Sequence, residues 1–225
     1  MHADALEPEM AEYEDLSAYR DGYSPFEMIN VGWLGVSRGI PVSGAPLVDR
    51  LVERLAQEVK MPRSVTLGSH DCEFCTEEDG QGGNGEIHIY STSHSVVFCA
   101  PLLILHYVRH HGYTPPASFL EALDSIDDSL QWDSRAETLM AILADPMGHA
   151  GWRANALYDL PRWYGDERAY RAVVASVDDE QIREIDEYEL GMSLSRFWIK
   201  AGTIDAAVYR RLSPATQSII KQSVF

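Results

Sequence analysis

Glu86-Ile87-His88-Ile89-Tyr90, the turn residues Ser91-Thr92-Ser93, Ser95-Val96-Val97-Phe98-Cys99, and then Ala100-Pro101 leading into Leu102–His110 form the stretch that decides the fold. Two short runs rich in β-branched and aromatic residues, split by a small polar turn, read as paired strands. The apolar run behind Pro101 reads as a helix that Gly112 ends. Strand, strand and helix in this order argue for an α+β arrangement. Upstream, Pro46 is expected to open a helix, with Leu47, Val48, Leu51, Val52, Leu55 and Val59 on one apolar face, and Pro62 to end it. Ser64 to Gly68 reads as a short strand, and Tyr13, Leu16 and Tyr19 are spaced like one side of a short helix. Downstream, Pro115-Pro116 breaks the chain before a short helix marked by Phe119, Leu120 and Leu123. The expected organisation is an acidic segment over 1–30 and an α+β module over 31–125.

From residue 134 onward the pattern is helical only. Helices are expected at 134–144, 150–164, 166–176, 185–201, 203–211 and 214–222. An offset of 37 residues lays Leu157 on Leu194, Leu160 on Phe197, Gly165 on Gly202 and Ala169 on Ala206. Two helices per period of about 40 residues is the signature of an α-solenoid. The segment Trp152-Arg153-Ala154-Asn155-Ala156-Leu157-Tyr158-Asp159-Leu160, followed by Tyr164-Gly165-Asp166-Glu167-Arg168-Ala169, resembles short bacterial HEAT-like repeats of the PBS lyase type. That resemblance covers 134–225 and implies an all-α helical-repeat segment. Pro161 interrupts a helix that a clean repeat would leave whole.

The 225 residues carry 35 acids against 18 bases, a net charge of −17. Such a balance argues against nucleic acid, whose phosphates need clustered Lys and Arg, and against anionic membrane surfaces. The longest apolar run, Val96 to Val108, is interrupted by Pro101 and His106 and is too short to span a bilayer. The first residues, Met1-His2-Ala3-Asp4-Ala5-Leu6-Glu7, lack the basic and apolar regions of a secretory signal. Three cysteines do not make a disulfide scaffold at this length, so a cytoplasmic location with reduced thiols is expected.

The unusual chemistry is confined to residues 70–111. All three cysteines lie there, as do six of the eight histidines, in about a fifth of the chain. Soft and borderline donors gathered this way point to a metal, with zinc first. His70-Asp71-Cys72-Glu73-Phe74-Cys75 offers two thiols from one tight turn and an imidazole beside them. His106 and His110 share a helical face, and His111 can join them if the helix frays before Gly112. The candidate ligands are therefore His70, Cys72, Cys75, His106, His110 and His111. The 30 residues between Cys75 and His106 exceed the separation of a C₂H₂ finger. A redox Cys-x-x-Cys is disfavoured, because the acids Glu77, Glu78 and Asp79 that follow would raise a thiol pKa. Cys99 reads as a buried inert thiol. Glu73 is expected to be solvated and Glu86 to pair across the sheet.

His70-x-Cys72-x-x-Cys75, Gly83-Asn84-Gly85-Glu86-Ile87, and Ala100-Pro101 followed by His106-Tyr107-Val108-x-x-His111-x-Tyr113-x-Pro115-Pro116-x-x-Phe119 together resemble a module of uncharacterised bacterial proteins. The resemblance covers roughly 30–125 and implies bacterial origin; it implies no activity. Gly80-Gln81-Gly82-Gly83-Asn84-Gly85 spells a dinucleotide fingerprint, but a strand follows it where a helix is required, so it reads as a loop ending in an Asn-Gly turn. No nucleophile elbow, P-loop or zinc-deaminase signature is present.

The acidic stretch Asp178, Asp179, Glu180, Glu184, Asp186, Glu187 and Glu189 reads as a solvated face or as a patch for a basic partner. Trp132, Trp152, Trp163 and Trp198 read as core packing between repeats, or in part as a concave binding surface. These features lead to a non-catalytic, cytoplasmic protein-interaction protein with a structural zinc site. Its most concrete form is an acidic immunity-type inhibitor of a basic bacterial toxin. The alternative is a metal-dependent hydrolase using the Cys/His cluster.

Overall fold

The computed structural model describes residues 12–19, 25–41, 46–63, 65, 69–76 and 82–224. The chain divides into two compact units, residues 1–127 and 128–225.

The first unit is built on a three-stranded sheet of β1 (Met28–Asn30), β5 (Val97–Pro101) and β4 (Glu86–Tyr90), in that order. β4 pairs antiparallel with β5, setting His88 opposite Cys99; β1 pairs parallel with β5, setting Asn30 beside Cys99. Side chains alternate between the faces of a strand. Ile87, Ile89, Phe98 and Ala100 therefore share one face. It packs into a core with Leu55 of α1 (Asp49–Glu58), Ile104 and Tyr107 of α2 (Ile104–His110), and Phe119 and Leu123 of α3 (Ala117–Asp124). Glu86, His88, Cys99 and Asn30 share the other face. A small antiparallel pair, β2 (His70–Asp71) with β3 (Gly82–Gly83), carries the loop that holds Cys72 and Cys75.

Several sequence expectations are corrected here. Tyr13, Leu16 and Tyr19 are not on a helix. Leu16 sits at φ 65° in a turn closed by Ser17 N–H donating to Glu14 O (3.1 Å), and the segment then runs along β1. Leu16 N–H donates to Asn30 O (2.8 Å), Asn30 N–H to Ser17 O (2.9 Å) and Tyr19 N–H to Met28 O (2.9 Å). The backbone groups of β1 need partners, and that demand outweighs a weak local periodicity. α1 begins at Asp49 rather than Pro46, because Val48 keeps an extended backbone (ψ 141°). β5 continues through Pro101, since Ala100 and Pro101 still pair with Ile87 and Glu86; Leu102 N–H then donates to Gly85 O (2.9 Å), and α2 starts only at Ile104. The strand expected over Ser64–Gly68 lies mostly outside the described residues. Arg63 just before it forms an isolated bridge with Glu86.

The second unit is helical: α4 (Ser134–Ala144), α5 (Ala150–Asp159), α6 (Glu167–Ala175), α7 (Glu180–Ile185), α8 (Glu187–Ala201), α9 (Ala206–Tyr209) and α10 (Pro214–Val224). Asp133, Asp166, Asp179 and Asp205 cap α4, α6, α7 and α9, each accepting a backbone N–H of the first turn. At Pro161, which has no N–H to give, the expected 150–164 helix tightens into a 3₁₀ turn over Leu160–Trp163. Leu139, Leu157, Trp163, Val173, Leu194, Trp198 and Ile220 are buried, whereas Trp152 is partly exposed. α7 was hidden within the acidic stretch, whose members are not all solvated: Asp178 is exposed and pairs with Arg211, but Asp179 pairs with the buried Arg153. Gly165 and Gly202, aligned by the 37-residue offset, differ in role. Gly202 is a left-handed C-cap (φ 66°), while Gly165 N–H donates to Ser129 Oγ (2.8 Å). Among the described residues no helix is long and apolar enough to cross a membrane.

Candidate metal centre

Cys72 follows β2, and Cys75 N–H donates back to Cys72 O (3.3 Å), closing a turn that brings the two thiols together. Opposite them stands the C-terminal end of α2. His106 lies within the helix. His111 is its C-cap, with φ −117° and ψ 3°, and Gly112 at φ 67° turns the chain away. The carbonyl of Tyr107 receives both His111 N–H and Tyr113 N–H (3.1 Å each), which fixes where the helix stops.

The side chains of Cys72, Cys75, His106 and His111 converge. Cys72 Sγ is 3.2 Å from His111 Nε2, and Cys75 Sγ is 3.2 Å from His106 Nε2 and 3.3 Å from His111 Nε2. The two Nε2 atoms are 3.0 Å apart. In a tetrahedron with Zn–S near 2.3 Å and Zn–N near 2.0–2.1 Å, neighbouring donors stand about 3.3–3.8 Å apart. An expansion of a few tenths of an ångström would therefore admit an ion. Two thiols and two imidazoles from two separate elements are a donor set compatible with a metal site.

The surroundings favour the ligating forms of the rings. Burial first, then the neighbouring His111 and His110, hold His106 below the usual imidazole range; burial, then His110, do the same for His111. Neutral imidazole is the form that binds metal. Cys72 is 4% exposed and belongs to the core of the unit. The Phe74 ring packs edge-on against Tyr107 (centroids 6.0 Å apart) and lies 5.7 Å from the His111 ring. Burial, then Cys72, Glu73 and Cys75, push the Tyr107 phenol up, so it stays protonated. His106 Nδ1 is buried and has no hydrogen-bond partner among the described residues, leaving Nε2 as the engaged nitrogen.

Four of the six expected ligands are thus brought together, and two lie outside the set. His110 is exposed; its ring faces that of His106 at 4.9 Å. His70 is in β2, paired with Gly83. Glu73 is exposed, as expected, and its Oε2 accepts Val36 N–H (2.9 Å).

A second polar cluster was missed at the level of sequence. On the far face of the sheet, buried Glu86 accepts hydrogen bonds from three sides: His88 Nε2 on Oε1 (2.8 Å), and Cys99 Sγ (3.1 Å) and Tyr19 OH (2.8 Å) on Oε2. Burial raises the Glu86 pKa, but His88, Cys99 and Tyr19 outweigh it and hold the carboxyl at about 2. Glu86 does pair across the sheet, and Cys99 is buried as expected, but its sulfur is engaged. The available signal was Glu86-x-His88 on one strand facing Cys99 on the next.

No curated protein and no solved structure matches the chain. The family described as "Domain of unknown function (DUF7919)" matches residues 11–124. That span is about half of the chain and contains every residue of both clusters, so the chain belongs to this family.

Proposed function

We propose that Cys72, Cys75, His106 and His111 bind one structural zinc ion in a non-catalytic, cytoplasmic protein-interaction protein. The observation that carries this reading is the closed donor set. Four protein ligands fill a tetrahedron and leave no position for substrate or water, which is the structural class of zinc site; catalytic sites keep one position open. The same closure counts against a hydrolase built on this cluster. Zinc is favoured over other ions by two thiolates with two imidazoles.

The interaction role is supported by the net charge of −17, which steers a basic protein partner and repels nucleic acid. The helical segment 134–225, read as HEAT-like repeats, would supply the docking surface. The most specific version is an acidic immunity-type inhibitor of a basic bacterial toxin.

Metal analysis of the purified chain before and after chelation tests the zinc reading. One zinc ion per chain, with a melting temperature that falls on chelation and returns on zinc addition, is expected. No bound zinc and an unchanged melting temperature would overturn it. For the interaction role, a partner should be recovered at low salt and released as salt rises; recovery of none would remove that part of the proposal.

A further inference from the structure

We infer that Glu86, His88 and Cys99 form a second, open metal site for a borderline divalent cation such as zinc or cobalt(II). Their donor atoms all lie within 4.8 Å of one another. The strand register brings them together: His88 and Cys99 are direct cross-strand partners, and Glu86 is two residues from His88 on the same face. A carboxylate oxygen, an imidazole nitrogen and a thiolate sulfur together suit ions of intermediate softness and exclude magnesium and calcium, which take oxygen ligands. Tyr19 OH, bonded to Glu86, is placed to orient the carboxylate as a supporting partner.

Two further observations point to an occupant. Asn30, next to Cys99 in the register and fully buried, donates through Nδ2 to Ser17 Oγ (3.0 Å) and Ala18 O (3.1 Å). Its Oδ1 has no partner among the described residues, although it lies on the same face as the three donors. In addition, the three donors are not equally covered. The Glu86 side chain is 5% exposed and Cys99 is fully buried, whereas the His88 side chain is 21% exposed. An ion would therefore arrive from the His88 side and keep a water there. Three protein ligands plus water is the arrangement of open zinc sites. On binding, the Cys99 S–H bond breaks, its electron pair forms the metal–sulfur bond and the proton leaves to solvent.

This site shares no residue with the Cys72/Cys75/His106/His111 centre and stands independently of it. The experiment is cobalt(II) loading of the chelator-stripped full chain. Bound metal per chain is read by elemental analysis, and thiolate coordination by the cobalt charge-transfer absorption. The expected result is two ions per chain in the wild type and one in His88→Ala, with helical circular dichroism retained. Cys99→Ala should give the same halving and lose the corresponding part of the thiolate band. A metal complement that neither variant changes would overturn the proposal. A single ion lost in His88→Ala but kept in Cys75→Ser would uphold this site and remove the other; the reverse pattern would remove this one.

Discussion

Both units of the protein bury polar side chains, and they satisfy them in different ways. In the first, Cys72, Cys75, His106 and His111 bring four donors together, thiols against imidazoles. In the second, the buried cations bring their own partners. Arg153, 1% exposed, donates to Leu143 O through Nε (3.1 Å) and Nη2 (3.0 Å) and pairs with Asp179 and Gln181. Arg135 is held by Asp133 (2.7 Å) and lies over the Trp163 ring at 5.7 Å. The difference teaches where an external ligand would fit. A guanidinium and a carboxylate neutralise each other, whereas two thiols and two imidazoles at 3.0–3.3 Å form a donor set compatible with a metal ion.

The sharpest way to break this contrast is chelation read by residue-resolved hydrogen exchange. Removing metal should cost protection on the order of several kcal/mol across residues 69–113, while residues 134–224 keep theirs. Uniform loss in both regions, or none in either, would erase the distinction.

The next largest effect belongs to Asp179→Ala, which leaves Arg153 buried without its carboxylate. It should destabilise the second unit by about 3–5 kcal/mol in urea titration, with metal content unchanged. Restoring much of that loss by adding Arg153→Met would show that the cost comes from the stranded charge rather than from lost packing.

Acid should separate the regions in a defined order. Metal ligands must be deprotonated, so on the proposed zinc reading the first unit should release its ion as protons compete for imidazole and thiolate. Asp179 behaves differently. Its hydrogen bond from Arg153 holds its carboxyl below the usual 3.8, so the unfolded chain takes up the proton first. The stability from that pair is complete above 3.8 and is lost as pH falls through the lowered folded-state value. Unfolding of the second unit followed against pH should therefore stay flat to about pH 4 and then drop, and Asp179→Asn should flatten the drop.

The smallest effect sharpens the boundary of the site itself. His110→Ala should retain the metal and change stability by less than about 0.5 kcal/mol, as expected of an exposed residue outside the donor set. His111→Ala should lose the metal. Equal behaviour of the two variants would contradict the placement of His111 at the C-cap.

Legibility in the sequence followed the range of the interactions. β4 (Glu86–Tyr90) and α4 (Ser134–Ala144) were readable to the residue, because alternation in one and the 3.6-residue period in the other are local. The Cys72/Cys75 pair was readable for the same reason, since a single turn sets it. The 12–19 segment was misread as helical because its partner is β1, more than ten residues away. α7 was hidden because its cap, Asp179, looked like one more member of an acidic run. His110 was favoured over His111 by helical spacing alone; the helix ends at His110 as expected, but the doubly accepting carbonyl of Tyr107 and Gly112 place His111 at the C-cap, facing the thiols.

Taken by itself, the sequence determined the hairpin strands β4 and β5, most of the helices, the acidic balance and the supply of two thiols and several imidazoles within one window. Each of these is a property of composition or of contacts a few residues apart. Only the tertiary structure decided which imidazoles meet the thiols, and that Glu86, His88 and Cys99 meet at all. Those meetings depend on where a helix ends, which the Tyr107 carbonyl and Gly112 set, on how the loop of Cys72 and Cys75 lies against that end, and on which residues the ladder of β4 and β5 sets opposite each other.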